Sequence, residues 1–195
     1  MRKVLMAIGT AFLASCASTS PSTHVTSVHV DLPQSMKWSV VSDRADNSQY
    51  IKEWVPEGEN PATSKWIITE QMLTISSKTS AESFQKQMFG LSRQGCTDVL
   101  FNGPQEIDVS GHKTSVGRIM CANQLGKPFG TFTDQRVIID GTTAYVVTSE
   151  LRIPVSPKAG VLAFGKDQLA EMKEFMLLQR ASSKFVRESV KVQVQ

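Results

Sequence analysis

Six side chains in this 195-residue chain are thiols or imidazoles, the groups of zinc-type sites and of thiol or imidazole catalysis. They are the thiols of Cys16, Cys96 and Cys121 and the imidazoles of His24, His29 and His112. A zinc-type site needs such groups clustered at ligand spacing, and these six are scattered. A redox pair would read Cys-x-x-Cys, which does not occur. His112 falls on a tight turn, a surface position rather than that of a base, and His24 and His29 lie on or near a polar N-terminal stretch. Gly-x-Ser-x-Gly, His-Glu-x-x-His, Walker-type and Gly-x-Gly-x-x-Gly patterns are missing, so no catalytic residue, metal or cofactor is expected. Glu53, Glu57 and Glu59 crowd around Pro56. Calcium loops space their acids as Asp-x-Asp-x-Asp-Gly, which these do not, so a solvated acidic loop is the preferred reading. Trp38, Trp54 and Trp66 fall on three neighbouring strand-like segments. Aromatic rows can form a platform for sugars or partner chains, but at this spacing they are core first. Trp38 and Trp66 sit inside strand patterns flanked by β-branched residues. Trp54 stands two residues before Pro56, at a strand end, and is expected to be exposed. Trp54, Glu53, Glu57 and Glu59 are therefore the candidate interaction face.

The remaining chemistry is at the N-terminus. Arg2 and Lys3 precede eleven mostly apolar residues, 4–14, and small residues follow. A basic start, a short apolar centre and a small-residue end make a secretory signal peptide. At 1.5 Å per residue the apolar run covers about half of a hydrocarbon core, too little for a permanent span. Leu13-Ala14-Ser15-Cys16 resembles the lipobox of bacterial lipoproteins. The resemblance implies a diacylglycerol on the Cys16 sulfur, cleavage before Cys16 and acylation of the new amino terminus. Two or three acyl chains hold a protein on a membrane where one is marginal. Ala17, rather than Asp, after the cysteine implies the outer membrane, with the domain facing the periplasm.

With Cys16 taken by lipid, Cys96 and Cys121 are left as a pair in an oxidising compartment, and a disulfide is expected. Removal of the fifteen leader residues leaves 180, the length of one domain. It also lowers the basic count from 21 to 19, against 18 acids, so the remaining chain is nearly neutral. No Lys/Arg cluster large enough for nucleic acid or an anionic bilayer is present, so no nucleic-acid partner is expected. The apolar fraction, 41%, suffices for a core.

These residues must be positioned by a strand-rich fold. Residues 17–23 are small, polar and uncharged, and the lipidated cysteine with its tether spans 16–35. Residues 24–30 alternate loosely, either as the tail of that tether or as an edge strand. A single domain then covers 36–195. Residues 36–42, 49–55 and 65–76 read as strands, with a hairpin loop at 43–48 and a breaker at 56–61. Thr79-Ser80-Ala81-Glu82 has the form of a capping box. Phe84, Met88 and Leu91 then make one apolar stripe, and Gly95 is placed for a left-handed cap. From Asn102 the pattern is hairpins. The Asp140-Gly141 hairpin is the clearest of them, in the form of a type I′ turn. Pro154 and Pro157 end the sheet, and Leu169, Met172, Phe175, Met176 and Leu178 give a second helix over 166–189. The order β-β-β-α-β-β-β-β-α has no β-α-β rhythm. It predicts an α+β fold, a mostly antiparallel sheet with two helices packed on it.

This order of elements over about 36–189, with the lipobox and the Gly111-His112-Lys113 turn, resembles the DcrB-like periplasmic lipoproteins. The resemblance implies a PsbP-like α/β sandwich and an accessory or envelope-assembly role without a common enzymatic activity. The favoured expectation is a non-enzymatic envelope lipoprotein, anchored through Cys16, that binds another protein of a secretion, transfer or maintenance complex. The alternative is a small-ligand-binding lipoprotein with the tryptophan face as its pocket.

Overall fold

Alternating apolar residues along 129–154 build the centre of a large antiparallel sheet. The computed structural model describes residues 25–46, 48–155 and 169–194. The strands are β1 (Val25–Val30), β2 (Trp38–Ala45), β3 (Gln49–Pro56), β4 (Trp66–Thr74), β5 (Val99–Val109), β6 (His112–Cys121), β7 (Phe129–Asp140), β8 (Thr143–Pro154) and β9 (Val190–Val194). Helix α1 (Ala81–Gln94) lies between β4 and β5, and α2 (Leu169–Ser189) between β8 and β9. Seven strands form one sheet in the order β2-β3-β4-β8-β7-β6-β5, with every pairing antiparallel, and β1 pairs with β9 as a separate ribbon. The fold is α+β.

Each face of the sheet carries its own helix because side chains alternate along a strand. Val137, Ala144 and Val146 point to one face and pack on Ala81 and Phe84 of α1. Phe132, Leu151 and Ile153 point to the other, where Leu178 of α2 meets them. On that second face the ribbon brings Val28 and Val190 onto Ile138 and Val147. Burial of each such side chain stabilises the fold by about 1.5–3 kcal/mol. Buried Ser149 and Ser182 place their hydroxyls 2.5 Å apart, tying β8 to α2 within this apolar contact.

Several sequence expectations need correction. The tether assigned to 16–35 contains β1, and Val28 is only 2% exposed. Its partner β9 lies some 160 residues away, past the helix end, so the loose alternation at 24–30, which also allowed an edge strand, did not show what that strand pairs with. Ser80, not Thr79, caps α1: its hydroxyl accepts from the Ser83 amide, while Glu82 pairs with Lys86 one turn on. Gly95 ends the helix at φ −99° rather than in the left-handed region. The buried stripe of α1 is Ala81, Phe84, Gln85 and Phe89, and Leu91 is exposed. Met176, expected in the apolar stripe of α2, is also exposed. The side chains of Leu169, Met172 and Phe175, like Pro157, lie outside the described residues.

The hairpin turns divide differently from expectation. Asp140 pairs with Thr143, and only Gly141 of the two residues between takes positive φ, +58°. That is the II′ rather than the I′ pattern. Ser110 and Gly111 both take positive φ in the β5–β6 hairpin, so the I′ pattern is there. His112, at the foot of that turn, is half-buried rather than on the surface.

Candidate functional site

The three tryptophans converge beneath α2. Trp54 and Trp66 pack with Ile68, Phe185 and Val186, and Trp38 joins from the side. Trp38 and Trp66 meet edge to face with ring centroids 6.3 Å apart. Trp38, half-buried, donates its indole N–H to the Pro33 carbonyl at 3.0 Å. Trp54, expected to be exposed, is 9% exposed. The correction has a plain cause. Strand β3 does not stop before Pro56: Pro56 pairs with Trp38, so Trp54 lies inside a three-strand segment, facing Val40 on one side and Ile68 on the other. Helix α2 then closes over it, and the Lys52 ammonium lies over the ring, 5.6 Å from its centroid.

The acidic group divides in the same way. Glu57 and Glu59 stay on the exposed turn after β3, where Glu57 lies 3.8 Å from Lys37 and Glu59 accepts from the Ser64 hydroxyl at 2.7 Å. Glu53 belongs to the opposite face of the sheet from Trp54. The expected interaction face of Trp54, Glu53, Glu57 and Glu59 is thus not assembled in one place. Cys96 and Cys121 are disulfide-bonded with Cα atoms 5.6 Å apart, joining the exit of α1 to the end of β6. Cys16 lies outside the described residues.

What the structure does assemble is a groove on the α1 face. Helix α1 covers only the apolar end of that face. Beyond it the strands present Glu53, Thr69, Thr133, Gln135, Thr148 and Glu150, and the helix edge at Met88, Leu91 and Ser92 forms a wall. The enclosed volume is about 440 Å³. Polar residues at every second position of β8 (Thr148, Glu150, Arg152) place this row on one face, while Ser149 and Leu151 face α2.

The electrostatics of the groove centre on Glu150. Burial pushes its carboxyl above the usual range; Arg152 draws it back and the charge of Glu53 adds to the rise. Arg152 is already shared: its Nε donates to Glu150 at 3.3 Å, an Nη donates to the Pro61 carbonyl at 2.8 Å, and its guanidinium lies 4.5 Å from the Phe129 ring centre. Two carboxylates therefore face one engaged cation, among threonine hydroxyls and glutamine amides. This arrangement accepts hydrogen bonds and positive charge. The described residues include no group of three or more His, Cys, Asp or Glu gathered to hold a metal. Glu150 was missed from sequence because a polar residue every second place in a strand reads as an ordinary solvated face.

No protein-family model and no curated protein sequence matches the chain. Among solved structures it is similar to the Saccharomyces cerevisiae Ran-binding protein Mog1p, with 13% identity and a TM-score of 0.45 over 83% of this chain and 86% of that one. A point mutant of Mog1 gives 13% identity and 0.46, covering 83% and 87%. Cyanobacterial PsbP (CyanoP) from Synechocystis sp. PCC 6803 gives 11% and 0.36, covering 87% and 96%.

Proposed function

We propose that this protein is a non-enzymatic envelope lipoprotein whose sheet groove binds a segment of another protein carrying a basic side chain. The observation that carries the reading is the pairing of Glu53 and Glu150 in an open, otherwise uncharged groove beside the exposed Leu91. A guest Lys or Arg would balance the second carboxylate, since among the described residues Arg152 alone pairs with Glu150 and is shared with the Pro61 carbonyl, and Leu91 would cover the guest's aliphatic stem, as long cationic side chains favour. The anchor is supported by the Leu13-Ala14-Ser15-Cys16 sequence, with the domain facing the periplasm from the outer membrane. A ligand pocket on the tryptophan face is disfavoured, since α2 lies over that face.

A photo-crosslinking residue at Gln71, inside the groove, is expected to capture a discrete partner in whole envelopes, and Glu53→Lys to abolish the product. A crosslinking pattern unchanged by Glu53→Lys overturns the groove as the binding site. Separately, Cys16→Ser should release the chain from the membrane fraction, and its retention there overturns the lipid anchor.

A further inference from the structure

The α2 face of the sheet holds a second charged constellation, unrelated to the groove. Arg136, in β7, is 1% exposed, and among the described residues none of its three side-chain nitrogens has a hydrogen-bond partner. A guanidinium carries five N–H donors, and a buried cation without a partner is costly. The acid two residues away in sequence does not serve it. Asp134, two residues earlier on the same face, accepts from Arg118 Nε at 3.0 Å on one oxygen and from the Ser183 hydroxyl at 2.6 Å on the other. Arg118 also donates to Ser183. Among the described residues the charge that acts on Arg136 is Arg187, a like one; burial first and Arg187 second draw the Arg136 pKa down to about 10.

A cavity lies next to Arg136 and Arg187: Arg187 lines it, and Arg136 is not itself a lining residue but is flanked by Asp134, Gln135 and Val116, which are. It has a volume of about 40 Å³ and is lined by Asn102, Gln105, Val116, Asp134 and Arg187 among others. Val116 is the cross-strand neighbour of Arg136. The cavity shares Arg118, Ser183 and Arg187 with a wider cleft of about 490 Å³ along α2, to which Arg180 and Lys184 also contribute. Glu188 is the one acid among the cleft's lining residues, and Lys184 lies 3.8 Å from it.

We propose that Arg136 and Arg187, with the cavity beside them, form a binding site for a phosphate-type oxyanion. Such an anion carries enough charge to offset both cations at once, and a pair of its oxygens matches the guanidinium fork of Arg187, which lines the cavity. Asn102 and Gln105 supply neutral donors, and the wider basic cleft accommodates whatever the phosphate is attached to. Free phosphate and a lipid headgroup share this chemistry.

Thermal melts of the full chain in nonionic detergent test the site. Inorganic phosphate is compared with sodium chloride at equal ionic strength, and micelles doped with phosphatidylglycerol with micelles doped with phosphatidylcholine. At ten times the dissociation constant the melting temperature should rise by about 3 °C. Arg187→Gln, at an exposed position, should abolish the rise. Arg136→Met should abolish it while melting in chloride no lower than the parent. A rise with phosphate assigns the free ion, and a rise with phosphatidylglycerol alone assigns the headgroup. No rise with either, or one that survives Arg187→Gln, overturns the proposal.

Discussion

Gly117 of β6 lies directly beneath Phe89 of α1. A Cβ at position 117 would stand 2.6 Å from the Phe89 ring carbon Cζ and 3.1 Å from the Gln85 amide. Neither neighbour can yield freely. Phe89 is stacked on Phe101 with centroids 4.7 Å apart, and Gln85 is fully buried, donating to the Gln135 carbonyl at 3.2 Å and accepting from the Ser115 hydroxyl at 2.6 Å. The bare backbone of Gly117 thus sets how closely α1, the wall of the groove, approaches the sheet.

Gly117→Ala is expected to destabilise the protein by about 1–3 kcal/mol, the cost of overpacking a filled contact. Gly90→Ala is its counterpart. Gly90 is an exposed position inside α1 with no atom within 4 Å of the added Cβ, so it should gain about 0.5–1 kcal/mol from helix propensity. Chemical denaturation of the two variants reads both signs, and a neutral Gly117→Ala refutes the close approach.

The tryptophans should rank by burial. Trp54→Ala and Trp66→Ala are each expected to cost about 3–5 kcal/mol, and half-buried Trp38→Ala less. This order reverses the one read from sequence for Trp54. Denaturation midpoints of the three variants check it: a Trp54→Ala protein as stable as the parent would return that residue to the surface.

The Cys96–Cys121 bridge closes a loop with a sequence separation of 25. On the chain-entropy model its loss costs about 3.5 kcal/mol. The double Cys→Ser variant should lose that much stability, and non-reducing mass spectrometry of the parent should find this pair bridged. Two alkylatable thiols at these positions would contradict the structure.

Glu150 predicts a pH dependence of definite sign. Its carboxyl is pushed above the ordinary 4.5 by burial first, with Glu53 adding to the rise against Arg152. A raised carboxyl holds its proton more tightly in the folded state. Its penalty is absent below 4.5 and complete above the folded value, so stability falls as pH rises through that window. Glu150→Gln should flatten this part of the curve and raise stability near neutrality, as denaturation from about pH 4 to about pH 8 will read. A cationic guest in the groove would pull the carboxyl back down, so its binding should tighten over the same window.

The backbone signals of the sequence translate directly into elements. The paired strands around Asp140-Gly141, a capped helix opening within a residue of the Thr79 cap that was expected, and the polar run after β3 are governed by contacts between residues near in sequence. The α+β class and the antiparallel sheet follow, since hairpins permit no parallel pairing. Cys96 and Cys121 were also legible, because the leader read from the sequence implies an oxidising compartment, where two thiols have few other fates. The Leu13-Ala14-Ser15-Cys16 reading rests on sequence altogether.

Which face of each strand is covered, and by what, was decided only in the tertiary structure. Trp54 looks terminal in sequence and is buried because residues some 130 positions later fold down as α2. The strand at 25–30 is a tether until 190–194 pairs with it. Glu53 joins Glu150 because β4 pairs with β3 on one side and β8 on the other, and among the described residues Arg136 has no hydrogen-bond partner, Asp134 being spent on Arg118 and Ser183. Local pattern specifies backbone conformation through short-range sterics and hydrogen bonding. Solvent exclusion and charge pairing depend on which distant segment arrives at a face, and that is written in the packing of the whole chain.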